Sequence, residues 1–213
     1  MIITNNSERR KWNGTGYEPD PLLWVQLESE MPEEICRRAL VCYDQDKGFL
    51  LPFLNQIFQI LPKKREIVAL KSGVRQFKSF ELDLIIITYL LKAETIGLEG
   101  KMVNEKQIPG GEAFFRGPHL LSTNPMEELF GEDRESFLRA GKRLHGEERK
   151  LGDAAICLPV FPRVPVTLIL WVKDDEFPAR ITVNFDRTIS RHLPLDIIWT
   201  VVNVVSKWMI LYG

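Results

Sequence analysis

The chain has 213 residues, 45% of them apolar and 27% charged, with a formal net charge of −1. That length can bury a sizeable core without disulfide or metal staples, and the composition is that of a globular protein. The near-neutral balance supplies no overall field to draw in nucleic acid or an acidic membrane surface, so neither is expected as a partner.

Residues 1–18 read as a flexible polar leader. Its basic cluster, Arg9, Arg10 and Lys11, reads as a solvated tail. Asn13-Gly14-Thr15-Gly16 lacks the preceding strand and following lysine of a phosphate loop. Asp20-Pro21 gives an N-cap followed by proline at the first helical position. Pro32 opens a second helix, with Ile35, Cys36, Ala39, Leu40 and Tyr43 on one face. Three apolar runs follow, Phe49 to Leu54, Ile57 to Leu61 and Ile67 to Leu70, and read as an antiparallel meander. Pro52 places the first run at an edge.

Ser79 caps the next helix, which is apolar on nearly every side from Leu82 to Leu91 and reads as the central buried helix. Lys101 to Ile108 reads as a strand broken by Pro109-Gly110-Gly111. A short helix opens at Asn124-Pro125 and ends at Gly131; another runs from Asp133 to His145, with Phe137, Leu138, Gly141 and Leu144 inward. Gly152 to Asp186 reads as a β-hairpin with an acidic turn, Asp174-Asp175-Glu176, and prolines on both sides. Leu193 to Tyr212 is about as long as a bilayer span. Asp196, Thr200, Asn203 and Lys207 nevertheless form one polar stripe, which favours docking on a sheet over a membrane anchor at 193–212. No repeat or linker divides residues 19–213. The expected architecture is a single α+β domain: an antiparallel meander and a C-terminal hairpin packed against several helices.

Cys36, Cys42 and Cys157 are odd in number and scattered. A secreted chain of this size tends to pair its cysteines. They read as reduced thiols in a cytoplasmic protein, and Met1 to Gly16 contains no apolar run of signal-peptide length. Zinc, iron–sulfur, nucleophile-elbow and P-loop spacings are absent from the sequence.

The strongest site candidate is the segment Gly110-Gly111-Glu112-Ala113-Phe114-Phe115-Arg116-Gly117-Pro118-His119. Gly110 and Gly111 permit close backbone approach. Phe114 and Phe115 offer flat apolar surface, Arg116 a fixed cation, and His119 a titratable ring or axial metal ligand. Against this stands ordinary turn chemistry with two core phenylalanines. Arg163, between Pro162 and Pro165, is expected at a strand edge or bulge. Glu176 suits pairing with an arginine, and Asp186 ends an alternating strand, where a carboxylate is well placed for chemistry or simply for a cap. His145 closes a helix, which accounts for it.

These residues carry a family resemblance. IPGGEAFFRGPH, LGDAAICLPVFPRVPVTLILW and DDEFPARITVNFD, followed by HLP before the last helix, resemble the domain of unknown function 3786 family of bacteria and archaea, over roughly Pro32 to Trp208. The resemblance implies an origin among mostly anaerobic organisms and no defined activity. Some relatives carry a cysteine-rich segment before the domain, which has no counterpart here. Its recurring positions correspond to Gly110, Gly111, Phe115, His119, Gly152, Asp153, Pro162, Arg163, Pro165, Glu176, Phe177, Pro178 and Asp186.

Three functions follow as expectations. The first is a non-catalytic ligand- or cofactor-binding domain, with a pocket between the double-glycine segment and the proline-marked hairpin. There Arg116 and Arg163 meet an anionic group, and a tetrapyrrole is the extreme case. The second is an enzyme using His119 with Glu176 or Asp186 as acid and base. The third is an interaction module or homo-oligomer subunit, using the terminal helix or an open strand edge.

Overall fold

The computed structural model describes residues 11–12, 16–70 and 79–213; the basic pair Arg9-Arg10 and most of the Asn13–Gly16 stretch lie outside them. Within the expected leader, β1 (Lys11–Trp12) pairs antiparallel with β2 (Gly16–Tyr17). Helix α1 (Pro21–Ser29) starts as its sequence signals: the Asp20 carboxylate accepts the Leu22 N–H at 2.8 Å. Helix α2 (Pro32–Ala39) is shorter than its apolar pattern predicts. Leu40 turns left-handed at φ 54°, so Tyr43 falls on a strand instead.

The meander has four strands, not three: β3 (Cys42–Asp44), β4 (Gly48–Phe53), β5 (Gln56–Leu61) and β6 (Glu66–Ala69), paired in that order. Strand β4 is therefore interior, which corrects the edge placement drawn from Pro52. The proline is tolerated because β3 stops short of it. The last β3–β4 pair is Cys42 with Leu50, and Pro52 faces only Ile57 of β5.

Helix α3 (Phe80–Lys92) begins at the Ser79 cap, whose hydroxyl accepts the Leu82 N–H at 3.2 Å, and is buried on nearly all sides. Strand β7 (Met102–Asn104) is shorter than expected. Asn104 and Gln107 form a reciprocal capping box that diverts residues 105–107 into a 3-10 turn. Helices α4 (Gly111–Phe114), α5 (Asn124–Phe130) and α6 (Arg134–Arg143) follow. Helix α6 ends before His145, which is left-handed at φ 62°. Gly141 brings α6 onto the second sheet, since a Cβ there would lie 2.5 Å from Ile156.

That second sheet joins β7 to β8 (Glu147–Arg149), β9 (Ala154–Phe161), β10 (Val164–Trp171) and β11 (Arg180–Asp186), in spatial order β7-β11-β10-β9-β8. The expected single hairpin is thus two. Pro162-Arg163 form a two-residue turn between β9 and β10, with a register shift at Val164/Pro165, and residues 172–179 link β10 to β11. The short α7 (Ile189–His192) leads into α8 (Leu195–Tyr212).

Helix α8 is long and apolar enough to cross a membrane by length and composition. Here it packs on α3, α5 and α6, and Trp208, its largest fully buried side chain, lies edge-on to Phe53 of β4 at 5.5 Å. Its stripe is only partly wet: Thr200 is buried and donates to the Asp196 carbonyl, while Lys207 pairs with Glu81 of α3 at 2.7 Å. Burial also removes most of this helix as an interaction surface. Among the described residues the whole is an α+β arrangement of two larger antiparallel sheets, the short β1–β2 pair and packed helices.

Candidate functional site

The double-glycine segment folds into a tight bend on the N-terminal turn of α8. Gly110 is left-handed at φ 78°, and a Cβ on it would approach Leu195 at 3.3 Å. Gly111 is buried, and its Cβ would lie 1.9 Å from the Glu105 carbonyl oxygen. Gly111→Ala should therefore cost about 1–3 kcal/mol, as overpacked positions do. The expected readout is a thermal transition lower by several degrees, with Gly110→Ala milder.

The two phenylalanines divide the work. Phe115 belongs to the core, whereas Phe114 is half-buried and crosses it edge-to-face at 5.1 Å. The imidazole of His119, exposed at the surface, stacks on Phe114 at 4.5 Å with a 19° tilt. Trp199 of α8 meets the same imidazole edge-on at 5.9 Å and is itself fixed by an indole N–H donated to the Leu120 carbonyl at 3.1 Å. Arg116 is exposed and pairs with Glu112 one turn back at 3.1 Å. This outer ring cluster adjoins a groove of about 380 Å³ that includes Asn104, Lys106, Leu120, Leu121 and Arg180.

Arg163 goes elsewhere. Its guanidinium is buried and donates to the Arg38 carbonyl at 2.5 Å, the Arg37 carbonyl at 3.3 Å and the Ile96 carbonyl. Two of these acceptors end α2, where the helix dipole favours a cation. The Arg163 backbone N–H donates to the Tyr89 hydroxyl at 3.2 Å, and that hydroxyl donates to the Ala39 carbonyl at 2.8 Å. Burial pushes the Tyr89 hydroxyl well above its ordinary range, against the pull of Arg163. The ring of Tyr89 lies flat on Phe161 at 4.4 Å.

His192 completes this hub and was not singled out by sequence reasoning. It is fully buried; its Nδ1 accepts the Glu94 N–H at 3.3 Å, and among the described residues its Nε2 has no hydrogen-bond partner. Burial, reinforced by the Arg163 cation, lowers its pKa to about 4, with Glu94 and Asp186 opposing. Glu94 itself is held below the usual carboxylate range, first by its hydrogen bond from Arg191. Asp186 accepts the N–H groups of Glu99 (3.1 Å), Gly100 (2.7 Å) and Thr188 (3.0 Å) and the Thr188 hydroxyl (2.7 Å). Burial raises its pKa, but these bonds outweigh it and leave the carboxyl below its ordinary value.

A family model, Domain of unknown function (DUF3786), matches residues 31–208. The chain belongs to that family. No curated protein and no solved structure matches it.

Within the DUF3786 domain, the expected site residues separate into three places. Gly110, Gly111, Phe114, Phe115, Arg116 and His119 form the surface bend. Arg163 and Asp186 belong to the buried hub, together with Tyr89 and His192, and the Glu94 backbone N–H reaches it from the surface. Glu176 stands in the exposed loop before β11. Among the described residues no hydrogen bond, ion pair or ring contact joins Arg163 to the surface bend. The expectation that Arg116 and Arg163 share one anionic ligand meets a physical obstacle: the Arg163 guanidinium is buried, and each of its three nitrogens donates to a backbone carbonyl. Strand β11 has 7 residues, so its two ends, Arg180 and Asp186, lie about 20 Å apart at the usual strand rise, and Glu176 belongs to the loop before Arg180 while Asp186 closes the other end. The sequence did hold a signal for His192. It is a polar ring between Ile189 and Leu193, immediately before the HLP step into α8. Among the described residues no group of three or more His, Cys, Asp or Glu converges to hold a metal.

Proposed function

We propose that this DUF3786 domain is a non-catalytic, cytoplasmic binding domain whose recognition surface is the double-glycine bend. One observation carries the reading: the exposed His119 ring is held from two sides, face-on by Phe114 and edge-on by Trp199. A surface imidazole needs no such support for solubility. Fixed in advance, it offers a flat face at little entropic cost to a ligand, which is what preorganisation supplies. The neighbouring Arg116 adds a cation. The ligand chemistry that fits is a planar ring system carrying an anionic group.

The acid–base alternative is less well supported. His119 lies in the surface bend, Glu176 in the loop 172–179 with no hydrogen bond or ion pair to that bend among the described residues, and the Asp186 carboxylate is committed to four hydrogen bonds. Acid–base partners need a common void within hydrogen-bond reach.

The test is titration of the full chain with haemin, a corrinoid and a flavin mononucleotide, read by absorption and tryptophan quenching. At least one is expected to bind wild type, to lose affinity in His119→Ala, and to weaken in Arg116→Glu. A tetrapyrrole ligand would show as a red-shifted haemin or corrinoid band that disappears in His119→Ala. Identical spectra for wild type and His119→Ala with every probe remove the reading.

A further inference from the structure

At the end of β11 remote from Asp186, the loop 172–179 is fastened at several points. The Asp174 carboxylate accepts the N–H groups of Glu176 (2.8 Å) and Phe177 (2.7 Å), and the Asp174 N–H donates to the Phe177 carbonyl at 3.1 Å. Asp153 accepts the Val172 N–H at 2.8 Å, and the Lys173 N–H donates to the Gly131 carbonyl at 2.9 Å. From this fixed frame two large aromatics stand in solvent: Trp171 is 48% exposed and Phe177 66%. Two cavities of about 460 and 440 Å³ meet below the loop at Pro178 and Ala179.

The floor of the first cavity is apolar, built from Trp171, Val172, Phe177 and Pro178. Its surroundings are acidic. The two linings and the loop between them contribute eight carboxylates against two cations, Lys173 and Arg180, on a chain whose net charge is only −1. Lys173 is already paired with Glu132 at 3.1 Å. A rigid apolar cleft with exposed aromatic anchors is what a protein-binding hot spot requires, and the one-signed rim selects the charge of the partner.

We propose that this cleft docks a lysine- or arginine-rich segment of a partner protein, with an apolar side chain seated between Trp171 and Phe177 and its cations facing Asp175, Glu176 and Glu128. A second copy of this chain does not fit, because a two-fold contact sets acidic rim against acidic rim. Nucleic acid is repelled for the same reason. The cleft shares Glu127 and Arg180 with the groove beside the double-glycine bend, but its aromatic anchors, Trp171 and Phe177, are not residues of the bend, so the proposal does not rest on the function proposed above.

The test is fluorescence anisotropy with the full chain and three fluorescein-labelled heptapeptides. One has lysines around a central Leu-Phe pair, one has the same lysines around Ser-Ser, and one has glutamates around Leu-Phe. The first is expected to bind, the second at least about tenfold more weakly, and the third not at all. Phe177→Ser should weaken the first peptide about tenfold, and Asp175→Lys with Glu176→Lys should abolish its binding. These side chains are exposed, so unchanged circular dichroism spectra will certify folded variants. His119→Ala should bind the peptide like wild type. No binding of the Lys–Leu–Phe peptide, or binding unaltered in both loop variants, overturns the proposal.

Discussion

Arg163→Ala should lower the unfolding free energy by about 3–5 kcal/mol, read as a lower urea midpoint at unchanged slope. Hydrogen bonds made by a charged group contribute roughly 1.5–3 kcal/mol each, and acceptors left unpaired in the interior add a further penalty. Arg163 supplies three such bonds to carbonyls that sit in different parts of the fold: the end of α2 and the segment after α3. Its removal strands those carbonyls and uncouples the turn between β9 and β10 from both. Arg163→Lys should recover only part of the loss, because an ammonium cannot span the fork that one guanidinium fills. Arg116→Ala is the contrasting control. Its ion pair is exposed on both sides, so a change within about 0.5 kcal/mol is expected. Equal effects of the two alanine variants would remove the hub as a stabilising element.

Stability should also fall on the acid side in a window set by His192. Its pKa is about 4 in the folded protein against 6.5 in an unfolded chain. Between these values the unfolded state binds more protons, so the free energy of unfolding rises with pH. The contribution is complete above pH 6.5 and is lost as pH drops toward 4, amounting to roughly 3 kcal/mol. Asp186 acts lower. Its folded pKa lies below the ordinary 3.8, so its contribution is present above that value and disappears only as pH falls through the depressed one. His192→Asn keeps an acceptor for the Glu94 N–H and removes the titration. Its urea midpoint should be flat between about pH 6.5 and 5.5, where wild type slopes, because carboxylates such as Glu94 add their own pH dependence only below that range. A wild-type midpoint that does not change across that window would show that the ring is protonated in place.

Most elements were legible because their signals are local. Asp20-Pro21 and Ser79 start helices with the very bonds their side chains advertise. The twofold alternation of Ile181, Val183 and Phe185 marks β11, and Gly141 marks the inward face of α6. The misread elements are those where a neighbouring strand or turn outweighed local pattern. Pro52 is harmless in an interior strand only because β3 is short. The apolar stretch to Tyr43 is divided by a left-handed leucine whose conformation no pattern announces. Helix α8 is no misreading: its polar stripe argued against a membrane span despite its length and hydropathy, and the structure adds only which elements receive its apolar faces, α3, α5 and α6.

The candidate sites were legible by residue type and not by company. The sequence by itself determined the family, the α+β class, the caps and the double-glycine bend, because each depends on residues a few positions apart. Only the tertiary structure decided that Arg163 turns inward onto a carbonyl 125 residues away, that His192 is buried beside it, and that His119 stays at the surface between Phe114 and Trp199. Hydrogen bonds and burial act through space, so the partner that gives a charged side chain its role is chosen by packing, at separations no local pattern reaches.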